Sequence, residues 1–269
     1  MPQFEFIPGI HAIEARHQGC VATIGTFDGV HRGHKAILSR LQKVACAQNL
    51  PSMVLIFEPQ PYEFFSKEAA PARITRLRDK VLALRETGID RVLCIRFDAA
   101  FRSLSAQEFI ERVLVRALGV RHLEVGDDFR FGCDRVGDFA LLQKMGETWG
   151  FSVQDTLTLC ENDERISSTR VRQLLEHAEL AKAEVLLGRG YKVSGRVGHG
   201  KKLGRSLGVP TANIHLGRCR AAVSGVFTVE VHEDTAGAVL WRGVANVGCL
   251  LYTSPSPRDL STSRMPSSA

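Results

Sequence analysis

The residues best placed by type and spacing to do chemistry are Gly25-Thr26-Phe27-Asp28-Gly29-Val30-His31-Arg32-Gly33-His34. An apolar run, Cys20–Phe27, leads into this stretch, and a helical pattern, His34–Gln48, leads out of it. The ten residues are therefore expected to turn from a strand into a helix. In that setting Gly25, Gly29 and Gly33 let the backbone approach a phosphate, and the unpaired N–H groups and partial positive charge of a helix N-terminus attract one. His31 and His34, spaced H-x-G-H, add imidazole donors aimed at the same place. The rival readings are a pair of surface histidines or half of a metal site. The second wants further Cys or His ligands, and none is spaced suitably. A second stretch fit for phosphate is Ile166-Ser167-Ser168-Thr169-Arg170-Val171-Arg172. Ser167 and Ser168 are good N-cap residues, and the Arg172 guanidinium is a planar fork suited to phosphate oxygens. Alone, this stretch reads equally well as an ordinary capped helix.

These motifs need a frame to hold them. Strand patterns lie at Cys20–Phe27, Ser52–Phe57, Arg91–Phe97, Arg121–Val125 and Phe151–Asp155. Helical patterns lie between them at His34–Gln48, Ile74–Glu86, Ala106–Leu118 and Asp138–Trp149, with more helix at Leu174–Leu186. Ser105 and Glu108 have capping-box spacing at the start of the third helix. Strands alternating with helices of this length predict an α/β fold, a Rossmann-like parallel sheet covered on both faces. Such a sheet binds ligands beyond the carboxyl ends of its strands. At residue 186 the texture changes. Residues 188–208 hold seven glycines, and alternating patterns follow at Gly225–His232 and Leu240–Val247. This predicts a small β-barrel or sandwich. With 269 residues, about two domains are expected: one over 1–185, one over 186–249. Residues 250–269, rich in Ser, Thr and Pro, are expected to be a disordered tail, and they resemble translated adapter read-through rather than native sequence.

Composition excludes other classes. Hydrophobic residues make up 44% and charged residues 24%, which rules out a fully disordered chain. No apolar run reaches the roughly 18–20 residues that span a bilayer, and no signal peptide is read at the start. Seven cysteines at irregular spacing, without a CxxC pair, argue against a zinc site or disulfide framework and fit a reducing cytoplasm. The net charge is +6, and residues 186–249 hold 9 Lys and Arg against 3 Asp and Glu. An anionic partner is expected there. Few aromatics interleave these charges, so a phosphate-bearing small molecule is a better expectation than nucleic acid.

The motif G-x-F-D-G-x-H-x-G-H resembles the signature of the adenylyl- and cytidylyltransferase superfamily, and Ile166–Arg172 resembles that superfamily's I-S-S-T-x-[IV]-R segment. Gly126-Asp127-Asp128-Phe129-Arg130-Phe131-Gly132, with Arg135 and Gly137-Asp138, resembles the flavin-side segment of bacterial FAD synthetases. Phe57-Glu58-Pro59-Gln60-Pro61-Tyr62-Glu63-Phe64-Phe65 is similar to their F-x-P-x-P-x-x-F-F stretch, with Gln60 where the family usually has histidine. Gly195–Gly200 and Gly204–Asn213, ending in P-T-A-N, resemble the riboflavin kinase motif. Residues 1–248 thus resemble the bifunctional bacterial riboflavin kinase/FAD synthetases.

The resemblance implies transfer of AMP from ATP to FMN, giving FAD and pyrophosphate. His31, His34 and Arg172 would be catalytic. Gly25, Phe27, Asp28, Gly29, Gly33, Ser167, Ser168 and Thr169 would bind ATP. Asp127, Asp128, Phe129, Phe131 and Arg135 would bind flavin. Gly195, Gly204, Thr211 and Asn213 would serve a kinase that makes FMN from riboflavin, with Mg2+ held by Thr211 and Asn213, whose oxygens suit a hard cation. After Gly248 the resemblance stops, so the kinase is expected to lack strands and its catalytic carboxylate, and to be inactive. A cytidylyltransferase of the same superfamily and a non-catalytic flavin or nucleotide binder are the alternatives. Oligomeric state is not legible.

Overall fold

The computed structural model describes residues 4–66, 69–156, 159–161, 164–198, 211–216, 220–233 and 239–248. Strands β1 (Glu5–Ile7) and β2 (Cys20–Ile24) precede helix α1 (Arg32–Ala47). There follow β3 (Ser52–Glu58), α2 (Pro61–Ser66), α3 (Leu77–Glu86), β4 (Arg91–Arg96) and α4 (Ala99–Arg102). Then come α5 (Ala106–Phe109), β5 (Val120–Val125), α6 (Phe139–Trp149) and β6 (Ser152–Asp155). The six strands pair in parallel in the order β1-β4-β3-β2-β5-β6. Each chain segment after β2 first builds the sheet towards β4, then returns to place β5 on the other side of β2. The order reverses between β2 and β5, the switch point at which sheets of this kind place their ligand crevice.

Alternation along the strands loads both faces, which is why they read as continuous apolar runs. Cys20, Ala22 and Ile24 of β2 pack on one face with Met53, Leu55, Leu93 and Leu123. Val21, Val54, Ile56 and Val92 pack on the other with Leu38 and Leu41 of α1 and Leu84 of α3. Helices β-to-β crossover on both sides, as the α/β expectation requires.

Several element boundaries differ from the sequence expectation for definable reasons. The helix expected from Ile74 starts only at Leu77, because Arg76, its N-cap, is extended (φ −70°, ψ 160°), and the N–H groups of Ile74 and Thr75 donate to the Asp28 carboxylate, both at 3.0 Å. The helix expected over Ala106–Leu118 begins with the Ser105–Glu108 capping box and then widens into a π-helical segment, Ile110–Ala117, in which Leu118 N–H bonds the Val113 carbonyl. Strand β1 is only three residues long, too short for an alternation signal.

Beyond β6, the short pair β7 (Cys160–Glu161) and β8 (Glu164–Arg165) leads to α7 (Ser168–Glu176) and α8 (Leu180–Leu187). Helix α7 starts six residues before the helix expected at Leu174. The two helices bury Val171, Leu175, Ala183, Leu186 and Leu187 with Ile74, Ile166, Ala222 and Val223 in a third cluster. The C-terminal region is antiparallel: β9 (Val197–Gly198) pairs with β10 (Asn213–Ile214), and β11 (Gly225–His232) with β12 (Val239–Val247). Among the described residues these strands form two separate two-stranded sheets and close no barrel. The expected tail, 250–269, lies outside the described residues.

Candidate active site

The loop after β2 is pinned from its centre. Asp28 is fully buried, and its carboxylate accepts four bonds: from the N–H groups of Ile74 and Thr75, from the Thr75 hydroxyl and from the Arg172 guanidinium at 2.8 Å. Its backbone carbonyl accepts the Ser168 hydroxyl at 3.0 Å. One residue thus ties the first motif to the second, 140 positions away. Every carboxylate lone pair of Asp28 thus has a protein donor, so its side chain organises the loop. The Gly29 N–H donates to Thr75 Oγ1 at 3.0 Å, and its left-handed φ of 84° is one that a side chain would strain. Arg189, after α8, donates to the carbonyls of Gly29 and Val30 and closes the loop from behind.

The histidines follow at once. His31 is the N-cap of α1, and its Nδ1 accepts the His34 N–H at 3.3 Å. A neutral imidazole that accepts at Nδ1 carries its proton on Nε2, so His31 presents a donor there. The two rings stack with centroids 3.6 Å apart. Two adjacent imidazoles shielded from water disfavour protonation. Burial pushes the His31 midpoint down to about 4. Burial, with the charges of His31, Lys80 and Arg172, holds His34 well below the usual histidine range. Both rings are therefore neutral donors at pH 7. Phe27, expected to touch ATP, is instead buried against the core, its ring 4.9 Å from that of His34. It holds the histidine rather than facing the crevice. Phe27 and Val30 have positive φ, 46° and 41°, a strain typical of a turn shaped for function. Gly25 admits the Phe27 ring, whose Cε2 would stand 3.0 Å from a Cβ there. Gly33 lies between His31 and the Ile166 carbonyl, where a Cβ would stand 3.1 and 3.2 Å from their atoms.

Ser167 caps α7, accepting the Arg170 N–H at 3.2 Å, and Thr169 is exposed in the first turn. Arg172 donates to Asp28 and, through Nε, to the Ala72 carbonyl at 2.8 Å. Its fork spans two protein partners rather than projecting freely. Arg172→Lys, which can keep only one of these bonds, is expected to lower stability by about 1–2 kcal/mol and to raise the apparent KM for ATP. Thermal melts and initial rates check it; a variant unchanged in both removes Arg172 from the site.

On the other side of the crevice, the loop after β5 carries the expected flavin residues. Asp127, Asp128 and Arg135 are exposed, and Phe129 is half-buried. Phe131 is not available to stack on a ligand: it is buried, pairs with Gly137 through backbone bonds in both directions, and its ring lies 5.4 Å from Phe109. Phe129 stacks on it at 5.5 Å and covers it from outside. A chain of aromatic contacts runs on from Phe109 through Phe101 and Phe97 to Phe64 and Phe65. The motifs had supplied the two ends of this chain; Phe97, Phe101 and Phe109 were missed, because in sequence they look like core residues of separate elements. Gln60 is buried, and its Nε2 has no hydrogen-bond partner. Lys80 was also missed, since a lysine in the middle of a helix gives no signal of burial.

Of the kinase-side residues, Gly195 sits where a Cβ would stand 2.5 Å from Ile214, Thr211 is exposed, and Asn213 pairs with Gly198. Gly204 lies outside the described residues. Thr211 and Asn213, two residues apart, offer neutral oxygens. No cluster of three or more His, Cys, Asp or Glu that could hold a metal ion occurs among the described residues. Their chemistry fits a magnesium that draws its remaining oxygens from phosphate and water.

The FAD synthetase family profile matches residues 13–170, and the riboflavin kinase profile matches residues 187–259. A bifunctional riboflavin kinase/FMN adenylyltransferase of Pseudomonas fluorescens is 53% identical over 244 residues, which cover 91% of this chain and 77% of that protein. Its counterpart from Escherichia coli K12 is 54% identical over 245 residues, 91% of this chain and 78% of that protein. A crystal structure described as a macrolide-efflux protein of Streptococcus pneumoniae superimposes with a TM-score of 0.74 at 27% identity, covering 90% of this chain and 79% of that one. No helix among the described residues is long and apolar enough to cross a membrane.

Proposed function

Because this chain belongs to the FAD synthetase family, in its bifunctional riboflavin kinase form, we propose that it transfers AMP from ATP to FMN, giving FAD and pyrophosphate. The observation that carries this reading is the convergence on Asp28 of Ser168 and Arg172, which brings the two phosphate motifs together around His31 and His34. A phosphate oxygen of FMN attacks the α-phosphorus of ATP; a P–O bond forms to FMN, and the bond to the β-phosphate oxygen breaks, releasing pyrophosphate. FMN phosphate is largely ionised at neutral pH, so no general base is needed. The protein's work is orientation and charge stabilisation. His31 Nε2–H, His34 and the N-termini of α1 and α7 supply donors to the phosphates. Gly25, Gly33, Ser167, Ser168 and Thr169 frame the ATP phosphates, and the loop bearing Asp127, Asp128, Phe129 and Arg135 borders the flavin. We assign this activity to residues 1–185.

The kinase reading concerns residues 186–249, with Thr211 and Asn213 holding Mg2+ and ATP phosphates when those are bound. The described hairpin β11–β12 leaves Val226, Trp241 and Val244 about two-thirds exposed, which suits neither a closed barrel nor an enclosed riboflavin site. Riboflavin phosphorylation is therefore taken to be absent from this 269-residue chain. Five cysteines among the described residues are free thiols, in keeping with the cytoplasm.

A paired assay on one preparation tests the reading: FMN plus ATP is expected to yield FAD and pyrophosphate, and riboflavin plus ATP no FMN. Binding of FMN and ATP without pyrophosphate release would favour a non-catalytic binder. Robust FMN formation would overturn the kinase assignment.

A further inference from the structure

Beneath the two histidines lies a charge that the reaction described above does not use. Lys80 stands one turn into α3, with 0% of its surface exposed, and its Nζ has no hydrogen-bond partner. Side chains on a helix lean back towards its N-terminus, and the N-terminus of α3 is fastened to the first motif through Thr75 and Asp28. The groups that feel its charge are Asp28, Arg73, Glu58 and Cys94, together with Glu63 and His34.

A buried ammonium without an acceptor is a costly choice, and an apolar side chain of the same length would fill the space at lower cost. Packing does not account for the lysine. The neighbouring charges do. Three carboxylates, Asp28, Glu58 and Glu63, organise the loops here, and their guanidinium partners are two: Arg73, which binds Glu58 and Glu63, and Arg172, which binds Asp28. Lys80 adds a positive charge that these carboxylates feel, beside Arg165 and Arg189, whose charges reach His31.

Resting on the nucleotidyl-transfer reading above, we propose that Lys80 is a positioning residue: an ammonium kept buried close to His34 so that the loop-organising carboxylates present less negative charge to the phosphates. It acts through two partners. It offsets part of the charge of the Asp28–Glu58–Glu63 network, and it adds to the burial that keeps His34 neutral, together with the other groups that face that ring, His31 from the same turn and Arg172 from α7. Burial pulls the Lys80 ammonium below the usual lysine range, and the carboxylate of Asp28 pulls it back.

The test compares Lys80→Met and Lys80→Gln with the wild-type full chain. Lys80→Met is expected to melt within a few degrees of wild type, since relief of an unpaired buried ammonium is offset by the loss of its attraction to the neighbouring carboxylates. In the same variant kcat/KM for ATP and for FMN falls by about tenfold or more per folded molecule, the effect of one lost unit of favourable interaction. The His34 titration, followed by NMR of labelled histidine, moves up in both variants but stays below the ordinary range, since burial, the largest cause, remains. Wild-type kcat/KM with an unmoved His34 titration overturns the proposal. So does a loss of activity that only tracks a loss of folded protein, or failure of both variants to fold, because either makes Lys80 a structural residue. If the wild-type chain forms no FAD, the functional reading fails separately, and the melting and His34 titrations still decide whether Lys80 serves the histidines.

Discussion

His34→Ala lowers the rate of FAD formation by about 10²–10³, as loss of one preorganised donor to a charged transition state does, and leaves the melting temperature close to wild type. His31 needs a subtler pair of variants, because its ring does two jobs. It caps α1 through Nδ1 and offers Nε2–H to the substrate. His31→Ala should lose both, with about 1 kcal/mol of stability gone with the cap. His31→Asn restores a good cap but not the imidazole donor, so stability returns while activity stays low. Steady-state rates beside thermal melts separate the two roles. Near-wild-type turnover in all three variants would remove the histidines from catalysis. The same residues set a pH dependence. Unfolded, each histidine takes up a proton near pH 6.5, whereas folded His31 does so only near pH 4 and His34 well below the usual range. Below pH 6.5 the unfolded chain therefore binds more protons, and stability falls as the pH drops towards 4. Each unit of depression is worth about 1.4 kcal/mol. His31→Asn should flatten that slope.

Asp28→Asn is expected to be the most damaging single change. An asparagine oxygen can still accept from Thr75, but the new amide NH2 faces the Ile74 N–H and the Arg172 guanidinium, donor against donor. Breaking one side of a buried, hydrogen-bonded ion pair costs about 3 kcal/mol or more, and here the loop 72–75 and the second phosphate motif lose their common anchor together. Urea titration should show the stability loss, and FAD formation should fall at least about a hundredfold even at temperatures where the variant is folded. A variant that keeps wild-type activity would mean that the two motifs hold their relative position without Asp28, and that the coupling argued from its four bonds is wrong.

The two phosphate motifs, the parallel α/β frame and the change of texture near residue 186 were legible from local pattern. Glycine spacing, N-cap residues and apolar runs are short-range signals, and the Ser105–Glu108 capping box and the Ser167 cap form as their spacing predicts. The errors arose where a long-range partner competed with local preference. The helix expected at Ile74 begins three residues later, and the Ile74 N–H bonds a carboxylate 46 residues away. Phe27 and Phe131 look like ligand contacts in their motifs, but neighbouring elements bury them.

What the sequence by itself determined is the inventory: which residues can cradle phosphate, which can donate, and that alternating strands and helices must carry them. Only the tertiary structure decided their division of labour. Asp28 turns inward, Arg172 spans it and Ala72, the two imidazoles stack and shed their protons, and Lys80 disappears beneath them. The physical reason is that hydrogen-bond saturation, burial and charge balance are properties of neighbours in space. Residues 28, 80 and 172 have no signal along the chain that they share one buried network, and the free energy of that network is what assigns each of them its role.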